Sequence, residues 1–208
     1  MSLSARIFAA LYDPVMSSAE KAGLADRRRT VLSVAHGSVI EIGAGTGANL
    51  AYYPAAVSEL VLIEPEAPMA KRLEGHLHRA AAPARVVHAG AEAIPLPDAS
   101  FDFAVATLVL CTVPDPARAL GELRRVLKPD GRLLFIERVR ADDPGLARWQ
   151  DRLHPLWMRC GHGCHCNRPT LDTIVAAGFA IDQVEHGEIA KLAPIVRPMI
   201  AGSASLAH

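Results

Sequence analysis

From residue 36 onward, short apolar runs alternate with stretches of helical spacing, and that alternation sets the expected architecture. Ser38–Gly43 opens the series as a buried strand, and Gly47–Tyr53 follows with helical spacing until Pro54. Leu60–Glu64 predicts a second strand, Pro68–Ala82 a helix that stops at Pro83, and Arg85–His88 a third strand. Phe101–Thr107 is rich in β-formers and continuous enough for burial on both faces. Asp115–Leu127 places Leu120, Leu123, Val126 and Leu127 on one side of a helix that ends at Lys128-Pro-Asp-Gly131; Arg132–Glu137 predicts a fifth strand. The tail differs. A helix over Leu171–Ala177, with Thr170 as N-cap and Gly178 as its stop, precedes Phe179–Glu185 and residues 194–204, which have no crossover helix between them. The whole predicts an α/β, Rossmann-like doubly wound sheet, mostly parallel, with an antiparallel C-terminal strand pair and helices on both faces.

Composition narrows the function classes. The 208 residues suit one domain (1–208) with a full core. Lys+Arg and Asp+Glu both number 22, so no net field points to nucleic acid or an anionic membrane. The one basic cluster, Arg27–Arg29, reads as the solvated face of a helix. No run approaches the roughly 18 apolar residues of a membrane span, and residues 1–12 make a poor signal peptide, so a cytoplasmic protein is expected. The four cysteines do not suggest a disulfide framework.

The chemistry concentrates at the strand ends. The first strand breaks into Gly43, Gly45 and Gly47, where the absence of Cβ atoms lets a ligand approach the backbone beside a helix N-terminus. This Gly-x-Gly-x-Gly spacing is one residue shorter than the dinucleotide fingerprint. Glu41, just before it, is a poor neighbour for pyrophosphate and a good one for a cationic nucleoside such as S-adenosylmethionine. Glu64 ends the second strand where an acid commonly grips both ribose hydroxyls, with Pro65 after it. Backbone groups of Ala91 and Glu92 are placed to meet an adenine edge and Ile94 to cover its face. Thr107 and Leu108, after the fourth strand, are expected beside the reacting group. Asn49 either reaches a carboxylate or caps the helix after the loop, and Glu41 either binds an amino group or stabilises the loop. Tyr12, on a short N-terminal helix, is either a lid over the cofactor or aromatic packing. Asp102 reads as structural. One division follows: N-terminal lid helices over 1–35, a cofactor-binding core over 36–140, and a substrate-side helix, loop and closing strands over 141–208.

These residues carry a resemblance. Glu41-Ile-Gly-Ala-Gly-Thr-Gly47, Glu64, Ala91–Asp102 and Leu123–Arg132 resemble motifs of class I S-adenosylmethionine-dependent methyltransferases of the ubiquinone-biosynthesis type. Where many of those enzymes carry Asp, this chain has Gly90. A narrower likeness runs through Tyr12–Met16, Gly45–Pro54, Thr107–Val113, Gly163-Cys-His-Cys-Asn-Arg168 and Val196–Gly202, which are similar to the animal methyltransferase-like seven thiol S-methyltransferases. The resemblance implies S-adenosyl-L-methionine as methyl donor, S-adenosyl-L-homocysteine as product and a small-molecule thiol as acceptor. The animal proteins carry an N-terminal membrane anchor, which residues 1–35 do not resemble, so no transmembrane segment is expected. Two alternatives stay open: C-, N- or O-methylation of a quinone, phospholipid amine or secondary metabolite, and nucleoside binding without catalysis.

Cys160-Gly-His-Gly-Cys-His-Cys166 looks at first like a metal site, but it lacks a second distant ligand pair. It is read instead as a loop over the acceptor pocket, with no metal, in which His154, His162 and His165 are candidate bases or walls and Trp157 a wall. Arg168 is expected to order the loop through carbonyl contacts, and Cys111 to be a buried small hydrophobe.

Overall fold

The computed structural model describes residues 3–207. Seven strands form one sheet in the order β3-β2-β1-β4-β5-β7-β6. β1 (Gly37–Ile42), β2 (Val57–Ile63), β3 (Ala84–Val87), β4 (Phe101–Thr107) and β5 (Leu127–Arg138) run parallel. β7 (Pro198–Leu206) pairs antiparallel with β5 and with β6 (Phe179–Glu188), closing the sheet as its sequence pattern predicts. Strand order reverses between β1 and β4, which puts the ligand crevice of such sheets at the carboxyl end of β1.

Alternation along each strand divides the core in two. Ile40, Ile42, Val61, Ile63, Ala104, Leu133 and Phe135 point to α4 (Pro116–Val126) and α6 (Thr170–Ala176). Val39, Leu60, Leu62, Phe103, Val105 and Leu134 point to α2 (Ala25–Leu32) and α3 (Ala67–His76). Leu120, Leu123 and Val126 of α4 are wholly buried, and each contributes about 1.5–3 kcal/mol of apolar burial. Asp115 caps α4 by accepting from Arg118 N at 3.0 Å. Asp102 fills the structural role expected of it: its carboxylate accepts from Ser38 N at 2.8 Å and from Lys128 Nζ at 2.7 Å, stapling β1 to β4 and β5. A third cluster joins α1 (Leu3–Ala19) to the far end of the sheet through Met16, Leu24, Leu108, Ile136 and Met199. α5 (Pro144–Cys160) leads into the cysteine-rich loop. No helix among the described residues is long and apolar enough to cross a membrane.

Several boundaries differ from the sequence expectation. No α-helix follows the glycine loop: Leu50 N bonds Gly47 O and Tyr52 N bonds Asn49 O, giving only a 3₁₀ turn over Leu50–Tyr52. The helical spacing of residues 47–53 is thus realised in i→i+3 form before Pro54 ends it, and the crevice has no helix N-terminus there. α3 stops at His76, short of residue 82, and tightens into a 3₁₀ turn over Leu77–Arg79. Thr170 is not the cap of α6. It is the first helical residue, and its hydroxyl donates to Arg138 O at 3.3 Å. β5 begins at Leu127 because residues 128–131 bulge between the pairs Phe101–Leu127 and Phe103–Arg132. Arg28 is buried rather than solvated, in line with buried Leu24 and Leu32 at four-residue spacing.

Candidate active site

The three glycines of the loop all have positive φ: 58° at Gly43, 59° at Gly45 and 86° at Gly47. Their surroundings differ. A Cβ on Gly43 would lie 2.2 Å from Val109 Cγ2, and one on Gly47 2.5 Å from Leu50 Cδ1. A Cβ on Gly45 would meet nothing nearer than Gly43 O at 3.9 Å, so the loop's open side lies there. Glu64, at the end of β2, binds this loop directly: its two oxygens accept from Gly45 N at 2.8 Å and Glu66 N at 2.9 Å. Burial raises its pKa, opposed by those two N–H groups. Pro65 follows, exposed at the rim.

Behind the loop sits a buried polar network. Glu41 accepts from Asn49 Nδ2 at 2.9 Å and from Tyr53 O–H at 2.6 Å. Asn49 Nδ2 also donates to Thr107 Oγ1 at 2.8 Å, and Asn49 Oδ1 accepts from Arg28 Nη1 at 2.7 Å. Arg28 donates onward to Glu20. Asn49 therefore caps no helix; it bridges β1, β4 and α2. Arg28 and Tyr53 were missed by sequence reasoning. For Arg28 a signal existed in its helical alignment with Leu24 and Leu32, whereas nothing in the sequence marks Tyr53.

Two buried carboxyls carry a pH signature. Burial pushes Glu41 up to about 7 against the pull of Tyr53, Asn49 and Arg28. Burial also pushes Glu137 up to about 7, although its Oε1 accepts from Val109 N and Leu110 N, both at 3.0 Å. Both folded values exceed the ordinary 4.5, so the native chain holds these protons more tightly than the unfolded one. Their stabilisation is full below pH 4.5 and is lost as pH rises through about 7. A lower urea midpoint is expected at about pH 7.5 than at about pH 5.5. Glu137→Gln keeps an oxygen for both N–H groups and should flatten that slope; an unchanged slope would show that Glu137 is not its source.

The segment after β4 turns sharply at Leu108 (φ 55°), whose N–H reaches Ile136 O at 2.8 Å. Across the crevice, Ala91 and Ile94 are buried. Among the described residues, Ala91 N and Glu92 N donate to no group of the chain, while Glu92 O accepts from Arg118 Nε at 2.9 Å. Ile94 N is held by Glu122 Oε2 at 2.7 Å. A Cβ on Gly90 would come within 3.1 Å of Glu92 Oε2. α1 lies over the strand ends: Thr46 Oγ1 donates to Asp13 Oδ1 at 2.5 Å, and half-buried Tyr12 packs on the cluster containing Leu108 and Ile136.

Cys160–His162, at the start of the cysteine-rich loop, line a cavity of about 520 Å³ under α1. His162 lines it and stacks on Phe8 with ring centroids 4.1 Å apart. His154 and His165 do not line it. They pair with each other, Nε2 to Nδ1 at 2.8 Å, and His165 N donates to Cys111 O at 2.7 Å. Arg168 donates to the carbonyls of Leu110 and Val113, at 2.5 and 2.8 Å. Cys111 is buried as expected, with its Sγ 3.5 Å from that of Cys164, whereas Cys160 is exposed. Among the described residues no three His, Cys, Asp or Glu side chains gather as metal ligands.

A mostly parallel sheet with a glycine crevice at its switch point, an acid on the neighbouring strand end and, among the described residues, unpartnered backbone N–H groups across from it is the arrangement at which α/β proteins take nucleosides. Residues 40–135 match the family described as a methyltransferase domain. Thiol S-methyltransferase TMT1B of Rattus norvegicus is 38% identical over 156 residues, 71% of this chain and 62% of that protein. Thiol S-methyltransferase TMT1A of Homo sapiens is 34% identical over 175 residues, 80% of this chain and 70% of that protein. A solved S-adenosylmethionine-dependent methyltransferase of Thermotoga maritima, a possible histamine N-methyltransferase, shares the fold with a TM-score of 0.70 at 24% identity over 97% of both chains. The chain belongs to the S-adenosylmethionine-dependent methyltransferase family that includes the human thiol S-methyltransferase TMT1A. It spans 62% of the length of the rat relative.

Proposed function

We propose that this protein methylates the sulfur of a small-molecule thiol, with S-adenosyl-L-methionine as donor and S-adenosyl-L-homocysteine as product. The observation that supports it most is the 38% identity to a thiol S-methyltransferase, which extends over 71% of the chain and beyond the cofactor motifs. The loop fits the donor, because the one glycine facing open space, Gly45, is the one bound to Glu64. In this reading Glu64 takes the ribose hydroxyls, Ala91 N and Glu92 N the adenine edge, Ile94 its face, and Pro65 the rim. Gly43, Gly45 and Gly47 admit the donor's methionine end. Asn49, Thr107 and Glu41 present the polar network to that end, with Arg28 behind them, and Tyr12 and Leu108 wall the reacting carbon. Bound there, the donor supplies an electrophilic methyl on a sulfonium. The chain's part is alignment of the acceptor sulfur and exclusion of water, which supply most of the acceleration in such a displacement. Residues 1–35 act as a lid, 36–140 as the cofactor core and 141–208 as the acceptor side, where His162 is the candidate histidine on the cavity. Four free cysteines suit a reducing cytoplasm.

Incubation with isotopically labelled donor and matched panels of thiols, amines and phenols tests the reading. Label is expected on thioether products; label confined to amines or phenols would overturn it.

A further inference from the structure

The cavity under α1 is walled by apolar side chains, among them Phe8, Leu11, Met16, Trp157, Leu192 and Val196. Exposed Ile7, Leu11 and Val15 extend that character along α1. Two arginines, Arg138 and Arg159, are among its lining residues. Arg138, the last residue of β5, lines the cavity with a buried Nε that has no hydrogen-bond partner. Its Nη1 lies 3.5 Å from Cys164 Sγ and its Nη2 3.8 Å from Met16 Sδ. Among the described residues, no carboxylate lies within ion-pair distance of it. Guanidinium groups out of water ordinarily take carboxylate or phosphate forks; this half-buried one instead has two sulfurs within 3.8 Å. Tyr12 lines the cavity and also packs on the cluster containing Leu108 and Ile136, which sets the cavity beside the carboxyl ends of β4 and β5.

We propose that Arg138 holds the acceptor's sulfur as a thiolate in this cavity, and that the acceptor's body is apolar, seated against α1 and Trp157. The proposal rests on the thiol-methylation reading and names the residue and the substrate character it requires. Thiolate, not thiol, is the effective nucleophile, and an apolar cavity alone would keep a thiol protonated. Arg138 stays charged throughout and neither gives nor takes a proton. The thiol's proton leaves to water, and the sulfur lone pair forms the new carbon–sulfur bond. The donor's carbon–sulfur bond breaks, its electron pair remaining on the departing thioether. Nearest the guanidinium are Cys164 from the cysteine-rich loop, with the Cys111 thiol 3.5 Å beyond it, and Tyr12 from α1 in the same cavity lining. Glu137, beside it on β5, is bound to Val109 N and Leu110 N, while His162, Arg159 and Cys160 line the same cavity. Cys164 already reports the field at a sulfur there: its pKa is lowered by the Cys111 thiol and by Arg138, against burial.

The test compares wild type, Arg138→Met and Arg138→Lys, with an apolar alkanethiol as acceptor. The kcat–pH profile reports ionisation in the bound complex. In the wild type its limb is expected below the thiol's solution pKa. In Arg138→Met it should move up by at least about one unit, a tenfold loss of kcat on the limb, and Arg138→Lys should recover part of it. An arenethiol already ionised at neutral pH should lose far less. Binding of S-adenosylhomocysteine by calorimetry should change by less than about twofold, which also shows that the variants fold. Ultraviolet thiolate absorbance on adding alkanethiol to the S-adenosylhomocysteine complex should appear in the wild type and be lost in Arg138→Met. A limb that stays in place, or lost S-adenosylhomocysteine affinity with an unchanged thiolate signal, would overturn the assignment. If the wild type transfers no methyl to any thiol, the thiol reading falls by itself; the absorbance comparison then decides Arg138, with equal signals in the two proteins refuting it.

Discussion

Glu64→Ala is expected to raise the Kd for S-adenosylhomocysteine by about a hundredfold or more, measured by calorimetry. Its carboxylate bonds Gly45 N and Glu66 N, so it stands at the joint between the glycine loop and the end of β2. Hydrogen bonds to a charged group contribute about 1.5–3 kcal/mol each. If, as proposed, two ribose hydroxyls donate to this carboxylate, their loss costs at least about a hundredfold before any loosening of the loop. The protein should tolerate the change better than the ligand does, because alanine also removes a carboxylate whose ionised form burial disfavours. Burial raises the Glu64 pKa, so affinity in the wild type should weaken as pH falls through that raised value and protonation removes the acceptor charge. Glu66→Ala, exposed two residues away and contributing no side-chain cap to α3, is the control and should bind normally. Unchanged affinity in Glu64→Ala would place the cofactor elsewhere.

The strands and the closing pair were legible because each carries its own periodicity. Continuous apolar runs such as residues 101–107 allow little besides a buried parallel strand, and two strand segments without a crossover helix must turn back on each other. Of the candidate site, the glycine loop and Glu64 were legible, the loop because its left-handed turns at Gly43, Gly45 and Gly47 favour glycine and Glu64 because it ends a strand beside it. It was not where identity depends on a partner distant in sequence. Arg28 reads as one third of a basic cluster until α2 folds over the network of Asn49 and Thr107, from residues 21 and 79 positions away. Tyr53 lies next to Pro54 with nothing to say that its hydroxyl meets Glu41. Arg138 closes a strand and looks like any edge cation until α1 and the cysteine-rich loop bring Met16 Sδ and Cys164 Sγ against it. The residues 47–53 turn failed for a local reason: spacing alone does not separate a 3₁₀ turn from an α-helix of under two turns.

Gly43→Ala and Gly45→Ala should separate folding from binding within one loop. At Gly43 the new methyl would lie 2.2 Å from Val109 Cγ2 and 2.8 Å from its Cβ. Val109 cannot easily retreat, because its N–H is fixed on buried Glu137. A left-handed conformation costs a non-glycine residue about 1–2 kcal/mol, and overpacking adds about 1–3 kcal/mol. A fall in melting temperature on the order of 10 °C is therefore expected for Gly43→Ala. Gly45→Ala meets only the conformational cost, since its Cβ has no neighbour closer than 3.9 Å. Its unfolding midpoint should move much less, while its affinity for S-adenosylhomocysteine should fall at least about tenfold, because the methyl fills the side of the loop left open to a ligand. Thermal unfolding and calorimetry on both variants decide the matter. A Gly45→Ala protein that binds as well as wild type would mean that the open side of this loop does not face the cofactor. A Gly43→Ala protein with an unshifted midpoint would mean that Val109 has room to move, and that the loop's close packing does not hold its shape.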